Sequence, residues 1–224
     1  MKAIHRKALR DLWHMRGQAL AIALVIASGI AMLVMSRATL DSLVDTRDRL
    51  YADYRFADLW AQVQRAPESL AGRVAQLPGV AEVETRLIAG AKLEVPGFGE
   101  PVEAVVQSLP DQGEPVQNRL YLRAGRALTP HADDELLVSD SFAQAHRLVP
   151  GDRLRVTLRG RTQWFTVVGT AVSPEHVYQI KPGAMFPDYQ RYAIVWMGRR
   201  AMAAALDMNG AFNQITARLA PGAS

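Results

Sequence analysis

Cysteine is absent from all 224 residues of this sequence. Disulfide bonds, thiol catalysis and cysteine-ligated metals are therefore excluded. The short signatures of common catalytic and nucleotide sites are also missing: HExxH, GxSxG, the P-loop and a complete GxGxxG do not occur in the chain. We therefore expect no catalytic residue, no cofactor site and no metal site, and we predict that the chain is not itself an enzyme.

Two groups of polar side chains are spaced so that each could be drawn as a site: His131, Asp133 and Asp134 for a metal, and Ser139, Asp140 and His146 for a triad. The first group follows a proline and precedes a strand, which is typical of a solvated loop. The second is better explained by a helix cap and a histidine at the helix end. We therefore interpret both groups as structural.

The part of the chain beyond the apolar run described next has no excess of basic charge. The formal net charge of the whole chain is +4, but residues 38–224 contain 20 Lys+Arg and 21 Asp+Glu. A nucleic-acid interface needs a basic face, so we predict no nucleic-acid partner. The basic excess belongs to residues 1–16, where it favours contact with anionic lipid headgroups.

A run without a single charge extends from Gly17 to Ser36, between Arg16 and Arg37. As a helix its 20 residues would be about 30 Å long, the thickness of the bilayer's hydrocarbon core. The apolar core of a cleaved signal is shorter and ends in small residues, whereas Arg37 follows here. A buried core helix would show a polar face. The run therefore predicts a transmembrane helix over 17–37.

The flanking charges predict its orientation. Residues 1–16 carry a local balance of +4, whereas the charges just after the run nearly cancel. The positive-inside rule then places the N-terminus in the cytoplasm and the rest outside, which in a bacterium means an inner-membrane protein with a periplasmic or extracellular domain. Residues 1–16 also have apolar positions at helical spacing, which predicts an amphipathic segment in the interface, with Trp13 at headgroup level.

The helical period continues through residues 38–55, which predicts a stalk helix leaving the membrane. Its apolar stripe includes Leu43, Leu50 and Tyr54. Because an apolar stripe needs a partner in water, we expect these three residues to pack on a second helix or on the domain. They are the predicted coupling residues.

Beyond residue 55 the hydrophobic period changes to two, which predicts strands. Residues 56–110 are expected to fold as strand, helix, strand and strand, the pattern of a small α+β lobe with an antiparallel sheet. The turn-rich stretch near 110–130 is expected to cross to a second lobe. This lobe is predicted to contain a short strand at 136–138, a helix, a hairpin that ends at Val172, the strand YAIVWM, a second helix and a last strand. The predicted fold class is thus α+β: a transmembrane and stalk helix followed by a two-lobed domain, 56–224, with mainly antiparallel sheets.

One long loop, Pro174–Tyr189, is rich in apolar and aromatic residues. Loops of this kind often carry contacts, so it is the predicted contact surface. The candidate residues are Glu175, His176, Tyr178, Phe186 and Tyr189. The alternative is that the loop only packs the two lobes together.

Four segments taken together resemble the FtsX-like permease family of ABC transporters, with a MacB-type periplasmic core domain. They are LPGVAEVE at 77–84, LRAGRAL at 122–128, DDELLVSDSFAQAHRLVPGDRLRV at 133–156 and FTVVGTAVSPE at 165–175. No single segment is distinctive, but the spacing of the set is. The resemblance extends over nearly the whole chain.

The resemblance implies a mechanical role. Such permeases form homo- or heterodimers and pair with a cytoplasmic ABC ATPase, which moves the periplasmic domains to export or extract lipids, lipoproteins, peptides or drugs. They also have further membrane helices after this domain, so the chain is expected to be the N-terminal portion of a longer one. Two alternatives stay open: a single-pass anchored binding or adaptor module, and an anchored periplasmic hydrolase.

Overall fold

The computed structural model describes residues 15–223, so the predicted amphipathic segment 1–16 lies almost entirely outside the described residues. The described chain divides into two compact units, one ending at Leu50 and one beginning at Tyr51. In chain order the elements are α1 (Arg16–Asp53), β1 (Leu59–Pro67), α2 (Ser69–Ala75), β2 (Val80–Arg86), β3 (Ile88–Glu94), β4 (Val102–Leu109), β5 (Tyr121–Gly125), β6 (Glu135–Ser139), α3 (Asp140–His146), β7 (Arg153–Leu158), β8 (Arg161–Val172), a 3₁₀ turn (Pro174–His176), β9 (Tyr192–Gly198), α4 (Arg199–Leu206) and β10 (Ala211–Leu219).

The first unit is the greater part of α1, a single helix of 38 residues that buries none of its side chains. Among residues 15–223 it is the one helix long and apolar enough to cross a membrane. The predicted membrane segment and the predicted stalk therefore form one uninterrupted helix, which ends at Asp53. Its polar half carries intrahelical ion pairs such as Asp45–Arg49, at 2.8 Å.

The second unit contains two sheets. The small sheet has the order β1-β10-β2, with both neighbouring pairs antiparallel. The large sheet has the order β5-β8-β6-β9-β4-β3-β7, and β7 also pairs with β8. That last pairing joins six strands into a closed ring, with β5 attached outside it. Two pairs in the large sheet, β4 with β9 and β6 with β8, are parallel. The sheets are thus mainly antiparallel, as predicted, but the large one is mixed.

The small sheet is assembled from both ends of the unit, which differs from the predicted strand-helix-strand-strand lobe. Of the strands in the predicted lobe, only β1 and β2 belong to this sheet, and α2 connects them. The middle strand of the sheet is the C-terminal β10. The sequence AEVETRLIAGAKLEV alternates without a break, yet the chain changes sheets at the fully buried Leu87. Strands β3 and β4 therefore belong to the large sheet.

The predicted crossing near 110–130 also takes a different course. Residues 110–120 leave the large sheet after β4 and return to it at β5. On the way the backbone N–H groups of Val116 and Gln117 donate to the carboxylate of Glu84 on β2. This segment therefore touches the small sheet without adding a strand to it, because its polar, turn-rich sequence cannot form a ladder.

Strand β9 lies at the centre of the large sheet, and all seven of its residues are buried. Ala193, Val195 and Met197 belong to one apolar cluster together with Phe142 of α3 and Met202 of α4. The alternate residues Tyr192, Ile194 and Trp196 belong to a second cluster on the opposite face. Because both faces are covered, the strand YAIVWM reads as a continuous apolar run.

Candidate functional site

The two sheets meet at a polar junction, and the first residues of the predicted contact loop lie in it. The loop begins as a 3₁₀ turn, Pro174–His176, with the buried Ser173 at its N-cap. The hydroxyl of Ser173 accepts a hydrogen bond from the backbone N–H of Glu175, at 3.2 Å. This cap and the proline at the first position fix the turn, and the side chains of Glu175 and His176 are both engaged inside the domain.

Glu175 forms a two-point ion pair with Arg86, at the end of β2. Both guanidinium NH₂ groups donate to its two carboxylate oxygens, each at 2.5 Å. The indole N–H of Trp60, on β1, donates to one of the same oxygens at 2.5 Å. Only 12% of the Arg86 side chain and 8% of the Glu175 side chain are exposed. Burial by itself raises the pKa of Glu175, but the hydrogen bonds and charge of Arg86 outweigh it, so that pKa lies below its usual value.

Arg86 extends the junction to the third strand of the small sheet. Its Nε donates to the side-chain oxygen of Gln214, on β10, at 2.5 Å. Glu175, which follows β8 of the large sheet, thus bonds directly to β1 and β2 and through Arg86 to β10. One carboxylate therefore ties the large sheet to every strand of the small sheet.

His176 bonds in the opposite direction, into the large sheet. Its Nε2 lies 2.9 Å from the amide nitrogen of Gln107, on β4. The side-chain oxygen of the buried Gln107 accepts from the indole N–H of Trp196, on β9, at 3.0 Å. Since the Gln107 nitrogen must then donate, His176 accepts at Nε2 and carries its proton on Nδ1. Burial, against the opposing charge of Glu175, holds the pKa of His176 below its usual value.

Arg199, the first residue of α4, forms a second link between the sheets. It pairs with Glu68, which follows β1, and donates to the carbonyl oxygen of Thr85, on β2, at 2.5 Å. Glu68 also accepts from the hydroxyl of Thr85 at 2.8 Å. Charge-assisted hydrogen bonds of this kind fix geometry as well as contribute energy. The junction therefore holds the two sheets in one arrangement, in keeping with their forming one compact unit.

The other three candidate residues of the predicted contact loop are more exposed than Glu175 and His176. Tyr178 is 75% exposed and Phe186 is 76% exposed, and Met185 between them is 85% exposed. Tyr189 is half-buried. The prediction therefore divides: Glu175 and His176 pack the domain together, which is the alternative reading of this loop, whereas the contact role of Tyr178, Phe186 and Tyr189 stays a prediction.

The predicted coupling residues are also placed differently from one another. Leu43 is 62% exposed and Leu50 is 36% exposed. Tyr54 lies one residue beyond the end of α1, and its ring packs edge-to-face on Tyr121 of β5, at 6.1 Å between centroids. Tyr54 therefore packs on the domain itself, which is one of the two partners that the sequence allowed for it.

The residues considered for a metal site have separate partners. His131 lies 3.0 Å from the amide nitrogen of Gln112, and Asp133 pairs with Arg200 at 2.8 Å. Asp134 accepts through its backbone carbonyl from Thr166.

The residues considered for a triad are likewise engaged elsewhere. Ser139 occupies the N-cap position of α3, but its hydroxyl donates to Gln179 instead of capping the helix. The ring of His146 packs on Phe142 and bonds to the carbonyl of Gln190.

The model of one protein family matches almost the entire chain. Residues 17–224 match the MacB-like periplasmic core domain. The chain belongs to this family. The match begins at the start of the uncharged run, so α1 and the two sheets are both part of the MacB-like unit.

Two solved structures are similar to this MacB-like chain. The extracellular domain of the ABC-type transporter YknZ from Gram-positive bacteria has 12% identity and a TM-score of 0.46, covering 70% of this chain and 75% of that one. The periplasmic region of MacB from Actinobacillus actinomycetemcomitans has 15% identity and a TM-score of 0.43, covering 73% and 68%. No curated protein matches the sequence.

Sequence reasoning missed most of the junction of this MacB-like domain. Arg86 and Glu175 are 89 residues apart in the chain, and Arg199 and Glu68 are 131 apart. In the sequence Arg86 is only a charged residue at a strand end, which is ordinarily solvated. A local signal existed for Glu175 alone, because Ser-Pro-Glu predicts a capped turn that fixes the side chain after it.

Proposed function

We propose that this chain is the N-terminal portion of an FtsX-like ABC transporter permease subunit. In this role a separate cytoplasmic ATPase hydrolyses ATP, and the permease converts that work into movement of its extracytoplasmic domain. The movement exports or extracts a lipid, lipoprotein, peptide or drug. The family match carries the proposal, because it covers the apolar helix together with the two-sheet domain.

Two features of the structure support a mechanical role. At 1.5 Å per residue, the 38-residue α1 is roughly twice as long as a hydrocarbon core is thick, so it can cross the membrane and continue well beyond it. The buried Arg86–Glu175 pair and the Arg199–Glu68 pair fix the two sheets to each other. A body joined in this way transmits displacement instead of absorbing it.

The membrane orientation can be tested directly because the chain has no cysteine. We propose that the N-terminus is cytoplasmic and the domain periplasmic. In intact spheroplasts a membrane-impermeant maleimide should label Gly113→Cys, an open position on the domain, whereas Lys7→Cys should react only after permeabilisation. The reverse pattern would refute the orientation, and labelling of both variants in intact cells would refute the membrane span.

The ATPase partner can be tested by purifying the full-length protein from the membranes of its own host. An ABC ATPase should co-purify and hydrolyse ATP in lipid nanodiscs. In a permease dimer spin-labelled at Gly113→Cys, the distance between labels should change when vanadate traps the nucleotide. A complex that lacks an ATPase, or an unchanged distance in a hydrolysing complex, would count against the proposal.

A substitution at Leu50, a predicted coupling residue, tests whether α1 transmits the effect of ATP hydrolysis to the domain. Leu50→Asp places a charge in the apolar stripe of α1, and it should leave ATP hydrolysis intact while removing the vanadate-dependent distance change. Leu50→Met is the matched control, since it keeps an apolar side chain of similar volume. If the distance between spin labels still changes normally in Leu50→Asp, the coupling role of this position is refuted.

An anchored binding or adaptor module is the second candidate, and the exposed Tyr178, Met185 and Phe186 favour it. Several exposed apolar residues on one loop are typical of a contact surface. The coding sequence beyond Ser224 separates the candidates. Further apolar runs of about 20 residues would support the permease, and their absence would favour the adaptor.

A further inference from the structure

Three arginines converge on one carboxylate at one end of the small sheet. Arg55, two residues beyond the end of α1, donates to Glu82 on β2. Arg218, which lies opposite Glu82 on β10, approaches the other carboxylate oxygen at 3.8 Å. The hydrogen bond from Arg55 holds the pKa of Glu82 below its usual value, and the charges of Arg55, Arg218 and Arg119 act in the same direction. We call these four residues the arginine cluster.

Backbone hydrogen bonds hold the segments that carry Arg55 and Arg119 next to each other. The N–H of Asn118 donates to the carbonyl oxygen of Arg55 at 3.0 Å, and the N–H of Arg119 donates to that of Tyr54 at 2.9 Å. The side-chain oxygen of the buried Asn118 also accepts from the N–H of Ala57, at 2.9 Å. The two segments therefore support each other, and the cluster is formed before any ligand arrives.

The arginine side chains of the cluster are accessible to solvent. The exposed fraction of the side chain is 31% for Arg55, 41% for Arg119 and 36% for Arg218. The Nε atoms of Arg55 and Arg119 are buried, so a ligand would meet the terminal NH₂ groups. Within residues 15–223, the acidic contacts of Arg119 and Arg218 are at 3.8 Å each, which is longer than a hydrogen bond.

Positive charge exceeds negative charge in the cluster and its contacts. Glu82 is shared between Arg55 and Arg218. The contact of Arg119 is Glu114, whose side chain is 78% exposed. Three guanidinium groups thus share two carboxylates, one of them well solvated. Like charges held close together cost free energy, and a bound anion would recover it.

We propose that the arginine cluster binds a phosphate group. Guanidinium groups form paired hydrogen bonds with phosphate oxygens. Arg55, Arg119 and Arg218 come from three separate segments of the chain, and a tetrahedral phosphate has oxygens that point to several donors at once, whereas a carboxylate has only two. Free phosphate and a phospholipid headgroup share this chemistry. The inference does not depend on the permease proposal.

Equilibrium dialysis of labelled inorganic phosphate against the full chain in an uncharged detergent tests the proposal. At low ionic strength one phosphate should bind per chain with a dissociation constant of about 1 mM or tighter, and added salt should weaken the binding. No saturable binding up to about 10 mM phosphate would overturn the proposal. Acetate that displaces phosphate at equal concentration would overturn the assignment to a phosphate group.

Glycerophosphoglycerol, the water-soluble headgroup of an anionic phospholipid, distinguishes the two sources of phosphate. If it binds more tightly than inorganic phosphate, the cluster recognises a lipid headgroup. If inorganic phosphate binds more tightly, the cluster recognises free phosphate. Either order supports a phosphate site, and binding of neither compound would refute it.

Two arginine variants locate the site. Arg119→Gln and Arg218→Gln each remove one guanidinium group from a partly exposed side chain, and each should weaken phosphate binding by about tenfold. Arg153→Gln, at an exposed arginine of β7, is the matched control and should bind phosphate normally. Unchanged phosphate binding in both cluster variants would refute the proposal.

A gain of binding is a readout that a structural role would not produce. Glu82→Gln keeps an acceptor for Arg55 but removes the negative charge that repels the ligand, so phosphate should bind about fivefold more tightly. Glu94→Gln, at an exposed glutamate of the large sheet, is the control and should leave phosphate binding unchanged. Circular dichroism shows whether each variant is folded. Unchanged or weaker phosphate binding in folded Glu82→Gln would contradict the proposal.

Discussion

Removing one partner of the Arg86–Glu175 pair should cost far more stability than removing one partner of an ion pair on the surface of this domain. We predict that Arg86→Met destabilises the chain by about 3–5 kcal/mol, the usual cost of leaving one member of a buried pair without its partner. The substitution strands a carboxylate that is 8% exposed and also removes a donor from Gln214. Methionine preserves the length of the apolar stem, so the loss is that of the guanidinium.

The matched control is Arg155→Met. Arg155 pairs with Glu94 across two strands of the large sheet, at 2.9 Å, but these side chains are 44% and 46% exposed. Solvent screening limits such a pair to about 1 kcal/mol or less. Urea unfolding of the detergent-solubilised chain, followed by tryptophan fluorescence, measures both variants. If Arg86→Met costs no more than Arg155→Met, the reasoning about the junction is refuted.

A double variant tests whether the stranded charge is the cause. Arg86→Met with Glu175→Gln should recover much of the loss, because a neutral amide at 175 is cheaper to bury and still accepts from Trp60. The wild-type pair should also show up in the pH dependence. The folded-state pKa of Glu175 is depressed, so its stabilisation is present above the unfolded-state pKa and is lost as the pH falls through the folded-state value. The double variant should lack this contribution.

Two further predictions concern other parts of the domain. Gly125→Ala should destabilise the chain by roughly 2 kcal/mol or more in thermal unfolding, because the backbone φ is +78° and a Cβ would lie 2.2 Å from the carbonyl oxygen of Val168. Gly113→Ala is the control: its φ is +75°, but the space around it is open, so it should cost only about 1 kcal/mol. The hydrogen bonds from Arg126 lower the pKa of Glu135 to about 2, so its stabilising contribution should persist until the pH falls from 4.5 towards that value, and a carboxyl NMR titration should show the midpoint rising in Arg126→Met. A midpoint that stays low in that variant would contradict this assignment.

Elements with a local period could be predicted from the sequence with little error. The strand-turn-strand at residues 153–172 and the apolar strand YAIVWM both occur where expected, as β7–β8 and β9. The helix predicted over 17–55 extends over Arg16–Asp53. Each of these helices and strands is specified by the pattern of apolar and polar residues within its own segment, so the segment alone is enough to predict it.

The amino-acid sequence is enough to predict the long apolar helix, to exclude cysteine chemistry and to predict the alternating strands of a MacB-like domain. Three features are visible only in the folded chain: it changes sheets at Leu87, β10 returns to complete the small sheet, and Glu175 meets Arg86. These features could not be predicted because the partners are far apart along the chain. A hydrophobic period records which face of a segment is buried, whereas the choice of partner 89 residues away depends on how all the segments pack together.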